Sequence, residues 1–164
     1  DHILGLIDTG IRSIRNVTND LRPSLLDDLG LLPALRSLVA DFAERSGIAA
    51  TLAEPDELPP LSPDAELALF RSLQEALSNV LRHAAATSVE VAITYSGPSV
   101  LLRVADNGRG LPEATGEGRF ERNGHMGLAG MRERITALGG LVRIGSGDQS
   151  GAVIEVLLPA PSRQ

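Results

Sequence analysis

The order of hydrophobic patterns along this 164-residue chain restricts its fold more than any other feature. Apolar residues with helical spacing come first, and alternating strand patterns follow. The predicted helices cover residues 4–21, 29–45, 62–85 and 127–138, and the predicted strands cover residues 89–95, 100–105, 141–144 and 152–158, with a further strand and a loop in residues 51–61. Because these elements do not alternate as βαβ units, the pattern predicts a two-layer α/β sandwich with a mixed, mostly antiparallel sheet and helices on one face.

Local signals define the ends of several elements. Arg22-Pro23 ends the first helix, because proline cannot continue the hydrogen-bond ladder, and Gly47 follows the second. Ser62-Pro63-Asp64 predicts a helix start, with Ser62 as the cap, proline in the first turn and a carboxylate near the positive end of the dipole. Ser96-Gly97-Pro98 predicts the turn of a hairpin.

The first helix carries an apolar stripe that it cannot bury alone. Its members are three and four positions apart, which is typical of a helix bundle: Leu4, Ile7, Ile11, Ile14, Thr18 and Leu21. A partner helix is therefore missing or comes from a second chain.

Composition excludes several functions. A net charge of −6 and only four aromatic residues argue against nucleic acid as a partner, and the absence of cysteine excludes disulfides, thiol nucleophiles and cysteine-ligated zinc. All fifteen basic residues are arginine, so a P-loop, a Schiff-base lysine and the strand lysine of ordinary protein kinases are excluded. No apolar run approaches the roughly 20 residues needed to cross a bilayer. The chain opens with Asp1-His2 and not with methionine, and we interpret it as a piece of a longer protein.

The helix predicted at residues 62–85 carries a polar stripe. Glu75, Asn79 and His83 are four residues apart on a helix whose other side is apolar, through Leu69, Leu73, Ala76, Leu77, Val80 and Leu81. Each polar residue alone fits a solvated face, but asparagine is a poor residue inside a helix. An amide oxygen beside a carboxylate suits Mg²⁺, and Arg82 and His83 could reach phosphate oxygens.

A second polar segment, Asp106-Asn107-Gly108-Arg109-Gly110, follows a predicted strand. An ordinary turn explains its residue types, but not the long loop at residues 108–127 that we predict to be mobile. That loop ends at Gly124 and Gly127 and leads into a helix, whose N-terminal N–H groups would suit phosphate. The two segments together indicate a site for a purine, phosphates and Mg²⁺.

These segments resemble the ATP-binding catalytic domain of two-component sensor histidine kinases, in the superfamily that includes gyrase B, the Hsp90 chaperones and MutL. The stretch from Glu75 through Asn79 to Arg82-His83-Ala84 resembles the N box, with arginine where lysine is common, and Asp106-x-Gly108-x-Gly110 resembles the first glycine box. Residues 124–134 resemble the second glycine box, and residues 138–140 and 151–159 resemble the closing strands. The run Gly-Leu-Ala-Gly-Met-Arg-Glu-Arg at residues 127–134 is similar to the nitrate-sensor-like subfamily. The implied fold is the Bergerat ATP-binding fold.

The resemblance implies a role for each matching residue. Asp106 would accept a hydrogen bond from the adenine amino group, Asn79 would hold Mg²⁺, and Glu75 would assist at the metal or polarise the attacking imidazole. Arg82 and His83 would contact phosphates.

The glycines of the boxes have implied roles as well. Gly108 and Gly110 would hinge a lid over residues 111–126, and Gly127 and Leu128 would offer backbone N–H groups to the phosphates. One departure is Ala152, where the family usually has threonine; the lost hydroxyl would weaken adenine binding by about 1 kcal/mol at most.

At the level of the whole protein, the resemblance implies a kinase that transfers the γ-phosphoryl of ATP to a histidine on a dimerisation helix, for relay to a response regulator with a helix-turn-helix output domain. Residues 1–22 would be the C-terminal part of the dimerisation helix and residues 23–164 the catalytic domain, in a protein that is a homodimer. His2 lacks the acidic neighbour of a phosphoacceptor and is interpreted as a bystander; His125 either touches phosphate or is an exposed loop histidine.

The implied location of the chain is cytoplasmic, without membrane contact of its own, and anchoring of the intact protein stays open. Two other functions stay open too: a docking or dimerisation module with a vestigial nucleotide pocket, and an anti-sigma-factor serine kinase.

Overall fold

The computed structural model describes residues 23–110, 126–147 and 151–160. The predicted first helix and most of the predicted long loop, residues 111–125, lie outside these ranges. The helices are α1 (Ser24–Leu29), α2 (Leu31–Ser46), α3 (Pro63–Asn79, continued by a π-helical turn at Val80–Ala84) and α4 (Met126–Ala137), and the strands are β1 (Ala49–Ala53), β2 (Ser88–Ser96), β3 (Ser99–Asp106), β4 (Leu141–Ser146) and β5 (Ala152–Pro159). None of the described helices is both long and apolar enough to span a bilayer.

The five strands form one sheet in the order β1-β2-β3-β5-β4. β1 runs parallel to β2, and the other three pairs are antiparallel. In the centre, Val91 pairs with Val104 and Leu102 pairs with Val156, so apolar residues of neighbouring strands lie on the same face. The predicted mixed, mostly antiparallel sheet is confirmed.

The helices cover the apolar face of this sheet. Val89, Val91 and Ile93 of β2 are buried at alternate positions, while Glu90 between the first two and Thr94 after the third are exposed. The helical side of the same core consists of the apolar faces of α2, α3 and α4, including the fully buried Leu35, Leu69, Leu73, Met131 and Ile135. A half-buried sheet covered by helices on one side is the predicted two-layer sandwich.

Most predicted element ends are confirmed. Ser62 caps α3 by accepting a hydrogen bond from the Ala65 N–H at 3.1 Å, and Pro63 lies in the first turn. Gly47 ends α2 in the left-handed conformation, with φ of 72°. The helix predicted at residues 29–45 is confirmed as α2, and Gly30 at φ 92° separates it from α1, which was not predicted.

The prediction that Leu81 is buried was wrong, since this residue is 58% exposed. Val80 and the other predicted members of the apolar face are buried, so the pattern fails only at the last residue. The helix changes there into the π-helical turn. At about 100° per residue, Leu81 lies at the edge of the apolar stripe, and its exposure shows that the buried face ends at Val80.

Candidate functional site

Helix α3 brings an amide into the protein interior. Asn79, the last residue of α3, is buried, and neither its Oδ1 nor its Nδ2 has a hydrogen-bond partner in the described part of the chain. Leaving such a buried polar group unpaired costs about 1–3 kcal/mol per group. Ser72, the other buried polar side chain of α3, donates to the Ala68 carbonyl at 2.7 Å. Asn79 is therefore the exception that packing alone does not explain.

One turn before Asn79, the Glu75 carboxylate lies between the π-helical turn, through Arg82, and the first turn of α4, at Gly127. Its Oε1 accepts a hydrogen bond from Arg82 Nη2 at 3.4 Å, and the Arg82 side chain, half exposed, also donates through Nε to the Ser78 carbonyl at 3.4 Å. A long, solvent-exposed ion pair of this kind contributes little to stability. Both groups can therefore exchange partners at small cost.

The first turn of α4 packs directly against this carboxylate. A Cβ built on Gly127 would collide with the side-chain carboxylate of Glu75. The neighbouring Leu128 is 3% exposed and belongs to the core, which anchors the start of α4. The absence of a side chain at Gly127 thus allows Glu75 and the first turn of α4 to approach.

The end of β3 presents a second carboxylate. Asp106 Oδ1 accepts hydrogen bonds from the backbone N–H of Gly108 at 2.8 Å and of Ala152 at 3.3 Å. Gly151 approaches so closely that a Cβ there would collide with the Asp106 backbone carbonyl. Two N–H donors and a tight neighbour hold this side chain in one orientation.

Two residues with a structural part in the site escaped the sequence-based prediction. The sequence pattern places Gly151 only in a closing strand and Asn107 only in a turn. The Asn107 side chain accepts hydrogen bonds from the N–H groups of Thr87 and Ser88 at 2.9 and 3.0 Å, and its Nδ2 donates to Thr87 Oγ1 at 2.8 Å. An asparagine at a strand end is a known source of side-chain-to-backbone bonds, but its partners here are 20 and 19 residues away in sequence.

The two predicted groups are connected through the elements that carry them. α3 packs on β3, β5 and α4, and the Asn107 bonds join the end of β3 to the segment that follows α3. Gly110 has φ of 77°, a conformation that favours glycine. The His83 side chain and the predicted lid with His125 lie outside the described residues.

A shallow cavity lies beside Asp106 and Asn107, on the side of the sheet that carries Glu90 and Arg103. Its volume is about 170 Å³, and Gly147 and Val153 complete the lining. Asp106 therefore lines a cavity on the sheet face opposite the helices, whereas Asn79 is buried on the helical side.

Comparison with known proteins gives consistent results. Residues 64–162 match the model of the family described as histidine kinase-, DNA gyrase B-, and HSP90-like ATPase. The sensor histidine kinase MctS of Rhizobium johnstonii is 38% identical over 149 residues, which are 91% of this chain and 32% of that protein. The histidine-protein kinase/phosphatase DegS of Brevibacillus brevis is 31% identical over 159 residues, covering 97% of this chain and 40% of that protein.

A solved structure shares the fold. The ATP-binding domain of PrrB from Mycobacterium tuberculosis superimposes with a TM-score of 0.58 at 25% identity, covering 78% of this chain and 95% of that domain. This chain matches nearly the whole of that domain but spans only 32% and 40% of the two kinases.

Proposed function

The chain belongs to the family of histidine kinase-, DNA gyrase B- and HSP90-like ATPases, as an ATP-binding domain of the sensor histidine kinase type, and we propose that it serves a longer kinase by donating the γ-phosphoryl of MgATP to a histidine outside this chain. The observation that carries the proposal is Asn79. A buried amide without a partner among the described residues, at the end of a helix beside a carboxylate and a guanidinium, is explained by a ligand that supplies the missing contacts.

In this proposal, Asp106 recognises the adenine. Two backbone N–H groups already hold its Oδ1, which leaves the carboxylate oriented to accept a hydrogen bond from the exocyclic amino group. Ala152 contributes its N–H to Asp106 but no hydroxyl, and the predicted loss in adenine affinity stays at about 1 kcal/mol or less.

Asn79 and Glu75 face the phosphate side. The Asn79 amide oxygen fits Mg²⁺, which prefers oxygen ligands and keeps several of its waters. When bound, Mg²⁺ would neutralise charge on the phosphates. Glu75 assists at the metal or orients the attacking imidazole, which its weak ion pair with Arg82 leaves it able to do.

The remaining contacts are to phosphate oxygens. Arg82 would leave Glu75 for a phosphate, His83 would act beside it, and Gly127 and Leu128 would offer N–H groups of the first turn of α4. Gly108 and Gly110 would hinge the lid, and φ of 77° at Gly110 suits that role.

Transfer would break the bond between Pγ and the bridging oxygen and form a bond between Pγ and an imidazole nitrogen, with ADP as the leaving group. Phosphoryl transfer of this kind relies on positioning and charge neutralisation. In the intact protein, residues 1–22 would belong to the dimerisation helix of a homodimer, and the phosphoryl group would pass to a response regulator, with a helix-turn-helix output domain as its expected type.

Calorimetric titration of this chain with ATP, with and without Mg²⁺, tests the proposal. We expect binding that Mg²⁺ strengthens and that Asp106→Asn weakens about a hundredfold, because an amide cannot replace the charge and both acceptor positions of the carboxylate. No detectable binding at millimolar ATP would contradict the proposal and favour a docking module with a vestigial pocket.

The same purified chain should bind ATP without labelling itself. Incubation with γ-labelled ATP should leave no radiolabel on the chain. Label that is retained, and lost in His2→Ala, would show that the phosphoacceptor lies within this chain.

A further inference from the structure

The Asn107 side chain joins two parts of the site that the chain leaves far apart in sequence. Asn107 directly follows Asp106, and Thr87 follows the π-helical turn that carries Arg82. The three side-chain hydrogen bonds between Asn107 and the pair Thr87 and Ser88 are 2.8–3.0 Å long, and the Asn107 N–H adds a bond to the Ser88 carbonyl at 3.2 Å. We call this set of contacts the Asn107 clasp.

We propose that Asn107 is a positioning residue that sets the adenine-binding carboxylate and the phosphate-facing turn of α3 at a fixed separation. The inference rests on the proposed function, because it assumes that Asp106 and Arg82 contact opposite ends of one nucleotide. It assigns to Asn107 no contact with the nucleotide itself.

The short segment between α3 and β2 contains a strained residue and therefore needs contacts that hold it in place. Ala85 ends the helix at φ 49°, a left-handed conformation that disfavours residues with a Cβ, and only two residues separate it from β2. Strained positions of this kind persist where the surrounding structure holds them. The clasp holds Thr87 from the β3 side, and the Ala49 N–H, bonded to the Thr87 carbonyl at 3.1 Å, holds it from the β1 side.

The chemistry of the clasp suits an amide. Asn107 Oδ1 accepts two N–H groups at once while Nδ2 donates to a hydroxyl, so both ends of the side chain are used. Asp106 is held separately, by Gly108 and Ala152. Removal of the Asn107 side chain therefore leaves the adenine carboxylate supported and releases the turn that carries Arg82.

The test compares two ligands on the full chain: ATP, which would contact both ends of the site, and adenosine, which would contact only the Asp106 end. Calorimetry gives the Kd of ATP and NMR titration the Kd of adenosine. We expect Asn107→Ala to raise the Kd of ATP about tenfold or more and the Kd of adenosine less than about threefold. Thr87→Val should raise the Kd of ATP about fivefold, the effect of one hydrogen bond, and Thr87→Ser, which keeps the hydroxyl, should restore it.

Equal losses of ATP and adenosine affinity in Asn107→Ala would overturn the inference, since a residue that only supports folding weakens both ligands alike. The inference would also be overturned if Thr87→Val and Thr87→Ser bound ATP with equal affinity. If the unmodified chain binds neither ligand, the proposed function fails and this inference fails with it. Hydrogen exchange at the Thr87 and Ser88 amides, protected in the parent chain and faster in Asn107→Ala, reports the clasp independently of any ligand.

Discussion

On the strand side of the candidate site, Asp106 and Asn107 together make five side-chain hydrogen bonds of 2.8–3.3 Å. On the helix side, the Asn79 amide makes none with the described residues, and Glu75 has one exposed ion pair at 3.4 Å. The two sides thus differ in how far the protein itself satisfies their polar groups.

The difference indicates two ways of preparing a binding site. The strand side is organised before any ligand arrives, so binding there requires little ordering of side chains. The helix side keeps a buried amide without a partner among the described residues, an arrangement that costs stability until a ligand or ion contacts it. Uncharged adenine fits the first arrangement, and phosphates with Mg²⁺ fit the second.

The largest loss of stability and ATP affinity should follow from a substitution on the strand side of the site. Gly151→Ala places a Cβ against the Asp106 backbone carbonyl, which cannot move without displacing β3. We expect the free energy of unfolding to fall by about 3 kcal/mol and ATP affinity to fall with it. Denaturant unfolding and ATP titration measure the two effects.

Gly145→Ala is the matched control, because Gly145 also lies in the sheet but has no neighbouring atom within 4 Å of the point that a Cβ would occupy. It should leave ATP affinity unchanged. Similar behaviour of the two variants would contradict the close packing of Gly151 on Asp106.

On the helix side of the site, a substitution should raise the free energy of unfolding instead of lowering it. Asn79→Leu replaces an amide that has no partner among the described residues with an apolar side chain of similar size, and we expect the free energy of unfolding to rise by about 1–2 kcal/mol. In the same variant, Mg²⁺ should no longer increase the affinity for ATP. Thermal unfolding and calorimetry in the presence and absence of Mg²⁺ check both expectations.

Ser72→Ala provides the comparison, since Ser72 is buried on the same helix but hydrogen-bonded. It should lower the free energy of unfolding by about 1 kcal/mol and preserve the Mg²⁺ effect. A loss of stability in Asn79→Leu would mean that the amide has a structural partner, and the contrast between the two sides of the site would disappear.

The smallest effect concerns the contact of α4 with Glu75. Gly127→Ala would push away the end of a flexible side chain, so we expect stability to change by less than about 1 kcal/mol while ATP binding weakens. Gly130→Ala, on the same helix and with only Arg134 Nη1 at 3.6 Å from its Cβ position, should stabilise by about 0.5–1 kcal/mol with unchanged binding. Parallel thermal melts and titrations compare the pair, and weakened binding in both variants would argue against a specific role for the Gly127 contact.

Several parts of the fold were predictable because they depend on neighbours in sequence. The cap at Ser62, the end of α2 at Gly47 and the hairpin of β2 and β3 each follow from side chains within a few residues of the feature. The mixed sheet with one apolar face follows from the alternation of the strands. The residues of the candidate site were identified by their pattern, and their assigned roles remain predictions.

Other features could not be predicted, because they depend on a local change of helix geometry or on contacts between segments that are distant in sequence. The π-helical turn at Val80–Ala84 changes the helix period locally, and a fixed period of 3.6 residues cannot anticipate it. Gly151 has the sequence context of an ordinary strand residue, and only the fold brings the Asp106 carbonyl against it. The partners of Asn107 are 19 and 20 residues away, so its spacing in sequence gives no sign of them.

The sequence by itself determined the order of helices and strands, the apolar face of the sheet and the polar residues that stand out from it, because these depend on local propensity and on periodicity. Only the tertiary structure decided which of those polar groups are satisfied: Asp106 and Asn107 find backbone donors on other segments, whereas Asn79 is buried without a partner among the described residues. Satisfaction of a buried polar group depends on atoms brought together across the fold, and the linear order of residues does not contain that information.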